Sequence, residues 1–409
     1  MCLNPIAIPS RTGSEYVFVP CGKCPECLKT LGNEFAVRVV REAQSAKSFH
    51  FVTLTYRDDT LPIYEKLVPV DNETGELLYH FKSGKVLSGR TLCEARESFL
   101  ASTEYQKTYL ENGKCIKRYL PYTIHMDDPV YPVVATYFPT VNNKDFQNAM
   151  KRFRKYNSGL EFKYACVPEY SGHTYRPHYH CLFFGLSDDK IGEFCDYWQK
   201  KFGYTDIQRV TGSMTDISKV AKYVGTYTYK GKYDLNYIKM DFCVKPHRMM
   251  SEHFGYGDQK EFERLVSYYK CEDIYGKYDA DDVSFLENHK YSIVDDILER
   301  RAYYINGFKY PLPKYIQRKI FFRYEERKNR RGEKVKTYRA TYLQQLVTSS
   351  IFEHLRSDSN RERERYERYL ESLGSDFQQS MALEVASQKI QRNTVEENFI
   401  NKIHTNKKL

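Results

Sequence analysis

The stretch that most constrains this 409-residue chain is EFKYACVPEYSGHTYRPHYHCLFFG, residues 161–185. It contains two apolar and aromatic runs joined by SGHTYRP, where Gly172 and Pro177 mark a turn. The pattern predicts a β-hairpin. Because an antiparallel pairing decides which residues of its two strands are neighbours, this hairpin determines what lies at the centre of the fold.

Residues alternate between the two faces of a strand, so His178 and His180 share one face while Tyr179 lies on the other. Two neutral imidazoles on one face are a ready pair of metal ligands. In the predicted hairpin, Glu169 lies close to His178 and adds a carboxylate. This ligand set suits Mg²⁺ or Mn²⁺ better than a closed zinc site. The alternatives are a histidine pair that binds no ion and a glutamate that faces solvent.

A second motif, MTDISKVAKYVGTYTYKG at residues 214–231, predicts a helix capped by Thr215 or Asp216. Helical spacing places Tyr223 and Tyr227 one turn apart beside lysines at positions 219 and 230. The glycine and threonines late in the motif are poor helix formers, which predicts an early end. Two tyrosines at this spacing are also typical of ordinary packing.

A tyrosine hydroxyl can cut a phosphodiester when a metal withdraws charge from the phosphate, and the product is a phosphotyrosine. The strand FVTLTY, the strand RPHYH and the later YVGTY resemble the HUH endonucleases that initiate rolling-circle replication. Within them, the sequence resembles the replication initiation proteins of the gokushovirus group of microviruses. The resemblance continues through MCLNP, VPCGKCPECLK, DFQNAMKRFRK, KPHRMMSEHFGYG and YPLPKYIQRKI.

The resemblance implies an α+β fold, with a central antiparallel sheet flanked by helices, an inserted segment and a helical C-terminal region. It also implies Mg²⁺ or Mn²⁺ as cofactor. The site residues that it implies are the metal ligands His178, His180 and Glu169, and the nucleophiles Tyr223 and Tyr227. Relatives carry a basic residue just before the second tyrosine, where this chain reads Val-Gly-Thr. We expect Lys222 or Lys230 to supply that phosphate contact, with Lys219 and Arg176 as further DNA-binding residues.

The function implied is nicking of an origin strand, formation of a 5′-phosphotyrosine adduct, and rejoining that releases single-stranded circles. The expected partners are origin DNA, single-stranded and duplex, with a host DNA polymerase and helicase. Two alternatives stay open: a non-catalytic nucleic-acid-binding protein for packaging or regulation, and a transposase with the same tyrosine chemistry.

Composition agrees with a polyanionic partner, since 63 Lys+Arg against 53 Asp+Glu give a net charge of +10. The 37 tyrosines suit stacking on bases, although an AT-rich genome would enrich tyrosine and lysine without functional cause. No apolar run of about 18 residues occurs, and the start MCLNPIAIPSR is unlike a secretory signal. We therefore expect no membrane association and a location in the host cytoplasm.

The motif CGKCPEC contributes Cys21, Cys24 and Cys27, with Cys2 upstream. Four such thiolates would close a tetrahedral structural zinc site. An iron–sulfur cluster and free thiols are the alternatives. The eleven cysteines, odd in number and scattered, do not form a disulfide framework.

Changes in pattern along the chain divide it into an N-terminal segment with the cysteine cluster (1–48), a nuclease domain (49–260) with an insertion around 63–130, a basic accessory region (261–340) and a helical tail (341–409). The run KYPLPKYIQRKIFFRYEERKNRRGEKVK fits DNA-backbone contacts or a solvated charged face. The same two interpretations apply to the basic end of DFQNAMKRFRK. The tail is expected to pack against the chain or to recruit a host protein.

If the cysteines hold structural zinc, a chelator should lower the melting temperature, because the metal-binding energy of such a site is folding energy. Elemental analysis of protein purified without added metal checks this. Absence of both zinc and iron would return these residues to free thiols.

Overall fold

The computed structural model describes residues 6–9, 16–19, 22, 25–69, 84–101, 106–111, 114–119, 122–126, 133–171, 174–211, 213–234, 243–300, 302–305, 308–328, 332, 334–347 and 350. The chain forms two compact units. One comprises Arg38–Gly257, and the other comprises Met1–Val37 with Asp258–Leu409.

Strands and helices alternate along the described parts of the chain. The strands are β1 (Ile6–Pro9), β2 (Tyr16–Val19), β3 (Phe49–Thr55), β4 (Ile63–Pro69), β5 (Gly84–Val86), β6 (Gln106–Glu111), β7 (Lys114–Tyr119), β8 (Tyr122–Met126), β9 (Val133–Pro139), β10 (Lys163–Tyr170), β11 (Pro177–Phe184), β12 (Thr205–Arg209), β13 (Met249–Met250), β14 (Ala302–Ile305), β15 (Phe308–Pro311), β16 (Phe322–Lys328) and β17 (Lys334–Ala340). The helices are α1 (Pro25–Ser45), α2 (Gly89–Ala101), α3 (Asn143–Tyr156), α4 (Asp188–Lys201), α5 (Met214–Asp234), α6 (Gln259–Tyr269), α7 (Glu272–Tyr275), α8 (Val283–Asn288), α9 (Lys290–Glu299) and α10 (Lys314–Phe321).

A five-stranded antiparallel sheet, in the order β12-β3-β11-β10-β13, forms the centre of the unit Arg38–Gly257. Helices flank it, which confirms the predicted α+β class with a central antiparallel sheet. The predicted hairpin is also confirmed, since β10 and β11 pair from Lys163 opposite Phe184 to Tyr170 opposite Pro177.

One face of this sheet is buried against α3 and α4. Apolar side chains alternate along the strands, as in Val52 and Leu54 of β3 and Tyr179 and Cys181 of β11. The helices add Phe146, Ala149, Met150 and Phe153 from α3, and Ile191, Phe194, Cys195 and Trp198 from α4. Because the strand period is two, the intervening residues of β3 and β11 point to the opposite face.

The helix starts agree only partly with the sequence predictions. Asn142 caps α3 as expected, since its side chain accepts a hydrogen bond from the backbone N–H of Lys144 at 3.2 Å. The predicted cap of α5 was wrong. This helix begins at Met214, and Ser213 rather than Thr215 or Asp216 precedes it. Ser213 donates to Asp216 Oδ2 from both its backbone N–H and its hydroxyl, an arrangement close to a capping box.

The prediction that α5 ends early was also wrong, because the helix continues through Gly225 to Asp234. Ala221, Val224 and Gly225 are buried on one side of it. Packing of this face outweighs the low intrinsic propensity of the glycine and threonines.

The segment expected to be an insertion contributes further strands outside the central sheet. A second sheet has the order β5-β4-β9-β8, in which Ile63 of β4 pairs with Pro139 of β9. The hairpin β6-β7 and helix α2 belong to the same part of the chain.

In the other unit, the basic run that begins at Lys309 folds as the end of β15, then α10, then the hairpin β16-β17. Residues 342–347 are helical, and Leu343, Leu346 and Val347 of the predicted stripe are buried there. The remainder of the predicted helical tail, from position 351 onward, lies outside the described residues. None of the described helices combines the length and apolarity needed to cross a bilayer.

A chain of hydrogen bonds links the core to the start of α3. The backbone N–H of Asn142 donates to the Tyr179 hydroxyl at 2.9 Å, and the Tyr179 and Tyr56 hydroxyls lie 2.8 Å apart. Tyr56 donates to Asp145 Oδ2 at 3.1 Å. Burial raises the pKa of both phenols, so both stay protonated and available as donors.

Replacing Tyr179 with Phe should lower the free energy of unfolding by about 1–3 kcal/mol, because the buried Asn142 N–H loses its acceptor. Urea denaturation measures this. The matched control is Tyr156→Phe at a residue 65% exposed, for which we expect less than about 0.5 kcal/mol. Equal effects of the two substitutions would contradict a stabilising role for the buried network.

Candidate metal centre and tyrosine helix

Three side chains converge on the sheet face opposite α3 and α4. Glu169 of β10 is the direct antiparallel partner of His178 of β11, and His180 follows on the same face. Glu169 Oε2 lies 3.1 Å from His178 Nε2 and 2.9 Å from His180 Nε2, and the two Nε2 atoms are 3.2 Å apart. The carboxylate and His180 are buried, while His178 is partly exposed. The predicted pairing of Glu169 with the two histidines is therefore present in the fold.

These three groups could hold a metal ion. Each offers one ligand atom, and the donor set of two imidazoles and a carboxylate binds divalent cations in proteins. The partial exposure of His178 leaves one side of the cluster accessible to solvent. A further ligand from solvent or substrate can therefore approach.

Neighbouring groups orient the imidazoles. His178 Nδ1 lies 3.0 Å from the backbone carbonyl of Arg176, which can only accept, so Nδ1 carries the proton. The lone pair of the neutral ring is then on Nε2, the atom that faces the cluster. His180 Nδ1 lies 3.5 Å from the Thr53 hydroxyl of β3. Such second partners fix the tautomer and direction of metal-binding histidines.

The charge state of Glu169 also suits a ligand. Burial would raise its pKa, but hydrogen bonds from His178 and His180, together with the charges of the imidazoles, hold the pKa well below its usual range. The carboxylate is therefore ionised at neutral pH. It needs no proton loss before it binds a cation.

The structure places Tyr223 beside this cluster. Its half-buried ring lies 6.2 Å from the ring of His180 and 6.1 Å from that of Phe51, both in edge-on contact. Tyr227 lies four residues later in the same helix. The side chains of Tyr227 and Lys230 lie outside the described residues, so Tyr223 is the tyrosine whose placement the structure gives.

The basic residues predicted to contact DNA have different surroundings. Lys219 and Lys222 are exposed on α5, and Lys219 Nζ lies 3.1 Å from Asp216 Oδ1. The Arg176 guanidinium donates to the Tyr56 carbonyl and pairs with Asp58 at 2.8 Å. Arg176 thus fastens the end of the hairpin loop to the chain that follows β3. The DNA-contact role of all these residues stays a prediction.

The cysteine cluster is mostly beyond what the structure describes. Cys2, Cys21 and Cys24 lie outside the described residues, and Cys27 is half-buried in the first turn of α1. The structural zinc site stays a prediction.

Sequence reasoning missed the contribution of β3. Phe51 stacks on the His180 ring at 5.5 Å, and Thr53 is the cross-strand partner of His180. The alternation in FVTLTY indicates that these two residues share a face. It gives no sign that β3 is the neighbour of β11, because pairing between strands distant in sequence is set by tertiary packing.

Comparison with known proteins gives one result for this part of the chain. Residues 131–232 match the model of a family of replication-associated proteins, named for the protein ORF2. The match covers about a quarter of the chain, from β9 into α5, and includes the Glu169, His178 and His180 cluster and Tyr223. No curated protein and no solved structure matches the chain.

If the cluster binds a cation, Mn²⁺ should raise the melting temperature of the wild-type protein, because binding to the native state alone adds to its stability. In the variant His180→Ala the affinity should fall by more than about 100-fold, since loss of even an outer partner of a ligand costs about 10–100-fold. Titration calorimetry with Mn²⁺ measures both proteins.

The matched control is His253→Ala, an exposed histidine away from the cluster. It should bind Mn²⁺ as the wild type does. Unchanged Mn²⁺ affinity in His180→Ala would remove this histidine from the ligand set.

Proposed function

We propose that this chain initiates rolling-circle DNA replication by nicking an origin strand through attack of a tyrosine, and that it is the initiator of a gokushovirus-like microvirus. The observation that carries the proposal is the position of Tyr223 beside the cluster of Glu169, His178 and His180. The match of residues 131–232 to a replication-associated family supports the choice of DNA as substrate.

The geometry of the cluster supports Mg²⁺ or Mn²⁺ as the cofactor. Two ligands bound at right angles with bonds of about 2.1 Å are about 3.0 Å apart, and the ligand atoms here are separated by 2.9–3.2 Å. When bound, such a cation would polarise the scissile phosphate by withdrawing charge from its oxygen atoms. Glu169, His178 and His180 are the proposed ligands.

The proposed cleavage is a transesterification at phosphorus. The Tyr223 hydroxyl oxygen bonds to the phosphorus as its proton passes to solvent, and the bond from phosphorus to the 3′ oxygen breaks. The leaving 3′ oxygen takes up a proton and becomes a primer end for a host polymerase. The 5′ end stays joined to the protein as a phosphotyrosine, which retains the bond energy for later rejoining.

Tyr227 is the proposed second nucleophile. It follows Tyr223 by one helical turn, about 6 Å along the axis. After one round of synthesis, Tyr227 cuts the regenerated origin, and the released 3′ hydroxyl attacks the first phosphotyrosine to close a circle. Lys219, Lys222, Lys230 and Arg176 are the proposed contacts to the DNA backbone, and a host helicase is the proposed partner that opens the duplex.

The test uses labelled single-stranded oligonucleotides that tile the genome encoding this chain, incubated with the protein and Mn²⁺. We expect one of them to give a protein–DNA band that survives denaturation. Tyr223→Phe and Tyr227→Phe should each leave partial nicking but block release of closed circles. The double substitution should abolish the adduct, because neither hydroxyl remains. His178→Ala should abolish nicking while DNA binding, which depends on backbone charge, is largely retained.

Tyr291→Phe is the matched control, since Tyr291 is 84% exposed and lies in α9, outside the nuclease motifs. It should form the adduct at the wild-type rate. An adduct formed by the double variant would assign the attack to another residue, with Tyr229 the first to test. DNA binding without any adduct from the wild type would favour a non-catalytic binding protein.

A further inference from the structure

The exposed face of α3 carries an unusual concentration of positive charge. Lys144, Lys151 and Lys155 follow one another along the centre of this face, and Arg152 and Arg154 flank them. We call these five residues the α3 ridge. All five are exposed.

The ridge has no compensating carboxylate. Within the described part of the chain, none of its five residues forms a salt bridge with another side chain. The one acidic residue of α3, Asp145, is half-buried and accepts a hydrogen bond from Tyr56. On the neighbouring helix α4, Glu193 is occupied by Lys190 and Asn157.

The arrangement opposes helix stability. Lys151 and Lys155 are separated by one turn, where like charges repel. A solvated helix face ordinarily mixes both signs, and salt bridges between residues four apart then stabilise it. A face of cations alone therefore indicates a polyanionic ligand rather than a merely soluble surface.

The two arginines are held in place by aromatic rings. The Arg152 guanidinium lies 4.6 Å from the ring centre of Tyr156 and 4.8 Å from that of Tyr197. The Arg154 guanidinium lies 5.3 Å from the ring of Phe162 and 5.4 Å from that of Tyr164. Stacking of this kind orients the guanidinium while its N–H groups remain available to phosphate.

We propose that the α3 ridge binds the phosphate backbone of duplex DNA. The choice of DNA rests on the proposed function. From Lys144 to Lys155 the ridge extends over about 16 Å, a length over which one strand of a duplex carries about five phosphates. Because arginines cover the bordering rings, the ridge offers charge without an open stacking platform, which favours a duplex over a single strand.

The position of the ridge gives it a role distinct from cleavage. The core side chains of α3 pack on the sheet face opposite Glu169 and the two histidines. The duplex next to the origin is therefore held behind the sheet while the cleaved strand occupies the metal side. Contacts to phosphate carry no sequence information, so the ridge binds without sequence preference.

The test is fluorescence anisotropy of full-length protein with a labelled 20-base-pair duplex of random sequence, over a series of salt concentrations. The ridge variant is Lys144→Gln, Lys151→Gln and Lys155→Gln together. Loss of three phosphate contacts should lower the slope of log affinity against log salt by about 2–3 and the affinity at 0.1 M salt by at least about tenfold.

The control variant removes the same charge elsewhere, through Lys260→Gln, Lys277→Gln and Lys290→Gln, all exposed in the other unit. It should keep the wild-type slope. Equal slopes for ridge variant, control and wild type would overturn the proposal, and so would equal losses in the two variants, which would reflect net charge alone. Circular dichroism of each variant confirms that it is folded.

Two further readouts separate this inference from the proposed function. An equal loss of affinity for a 20-nucleotide single strand would overturn the assignment to duplex. Adduct formation on a short single strand should be unchanged in the ridge variant. If the wild type forms no adduct but the ridge variant loses duplex affinity, the proposed cleavage fails and the ridge stands.

Discussion

The register between β10 and β11 is the constraint on which the site depends. Pairing of Glu169 with His178 brings a carboxylate and two imidazoles within about 3 Å of one another. A slip of one residue would turn both histidines toward the core and Tyr179 toward solvent. The register is held by the other face of the same strands, where Tyr179, Cys181 and neighbouring side chains are buried against α3 and α4. Apolar packing thus enforces a polar arrangement that would be costly to assemble on its own.

The same alternation divides the work between the two sides of the sheet. On one side, α5 brings Tyr223 to the imidazoles. On the other, α3 packs its apolar stripe on the core and turns its cations outward. Tyr179 lies between the two ligand histidines in the chain and accepts a hydrogen bond from the N–H that begins α3. The strand that carries the proposed ligands is therefore joined directly to the helix that carries the ridge.

Local patterns in the sequence were sufficient to predict the hairpin, the shared face of His178 and His180, the approach of Glu169 and the cap of α3. Each of these depends on periodicity or on residues close together in the chain. The contributions of Phe51 and Thr53 were not predictable, because they depend on which distant strand lies beside β11. The early end expected for α5 was wrong because burial of Ala221 and Val224 outweighs the weak propensity of Gly225. For Tyr227 and most of the cysteine cluster, the sequence remains the sole guide.

The three proposed ligands come from one hairpin, whereas the proposed nucleophile comes from a helix much later in the chain. Closing the short hairpin loop costs little chain entropy, so the ligand cluster is complete once two adjacent strands pair. Docking of α5 is a separate event that requires the longer intervening segment to fold. A chain in which α5 has come away would keep its grip on a cation and lose the ability to cut. Damage or incomplete folding would then produce an inert protein rather than an unregulated nuclease.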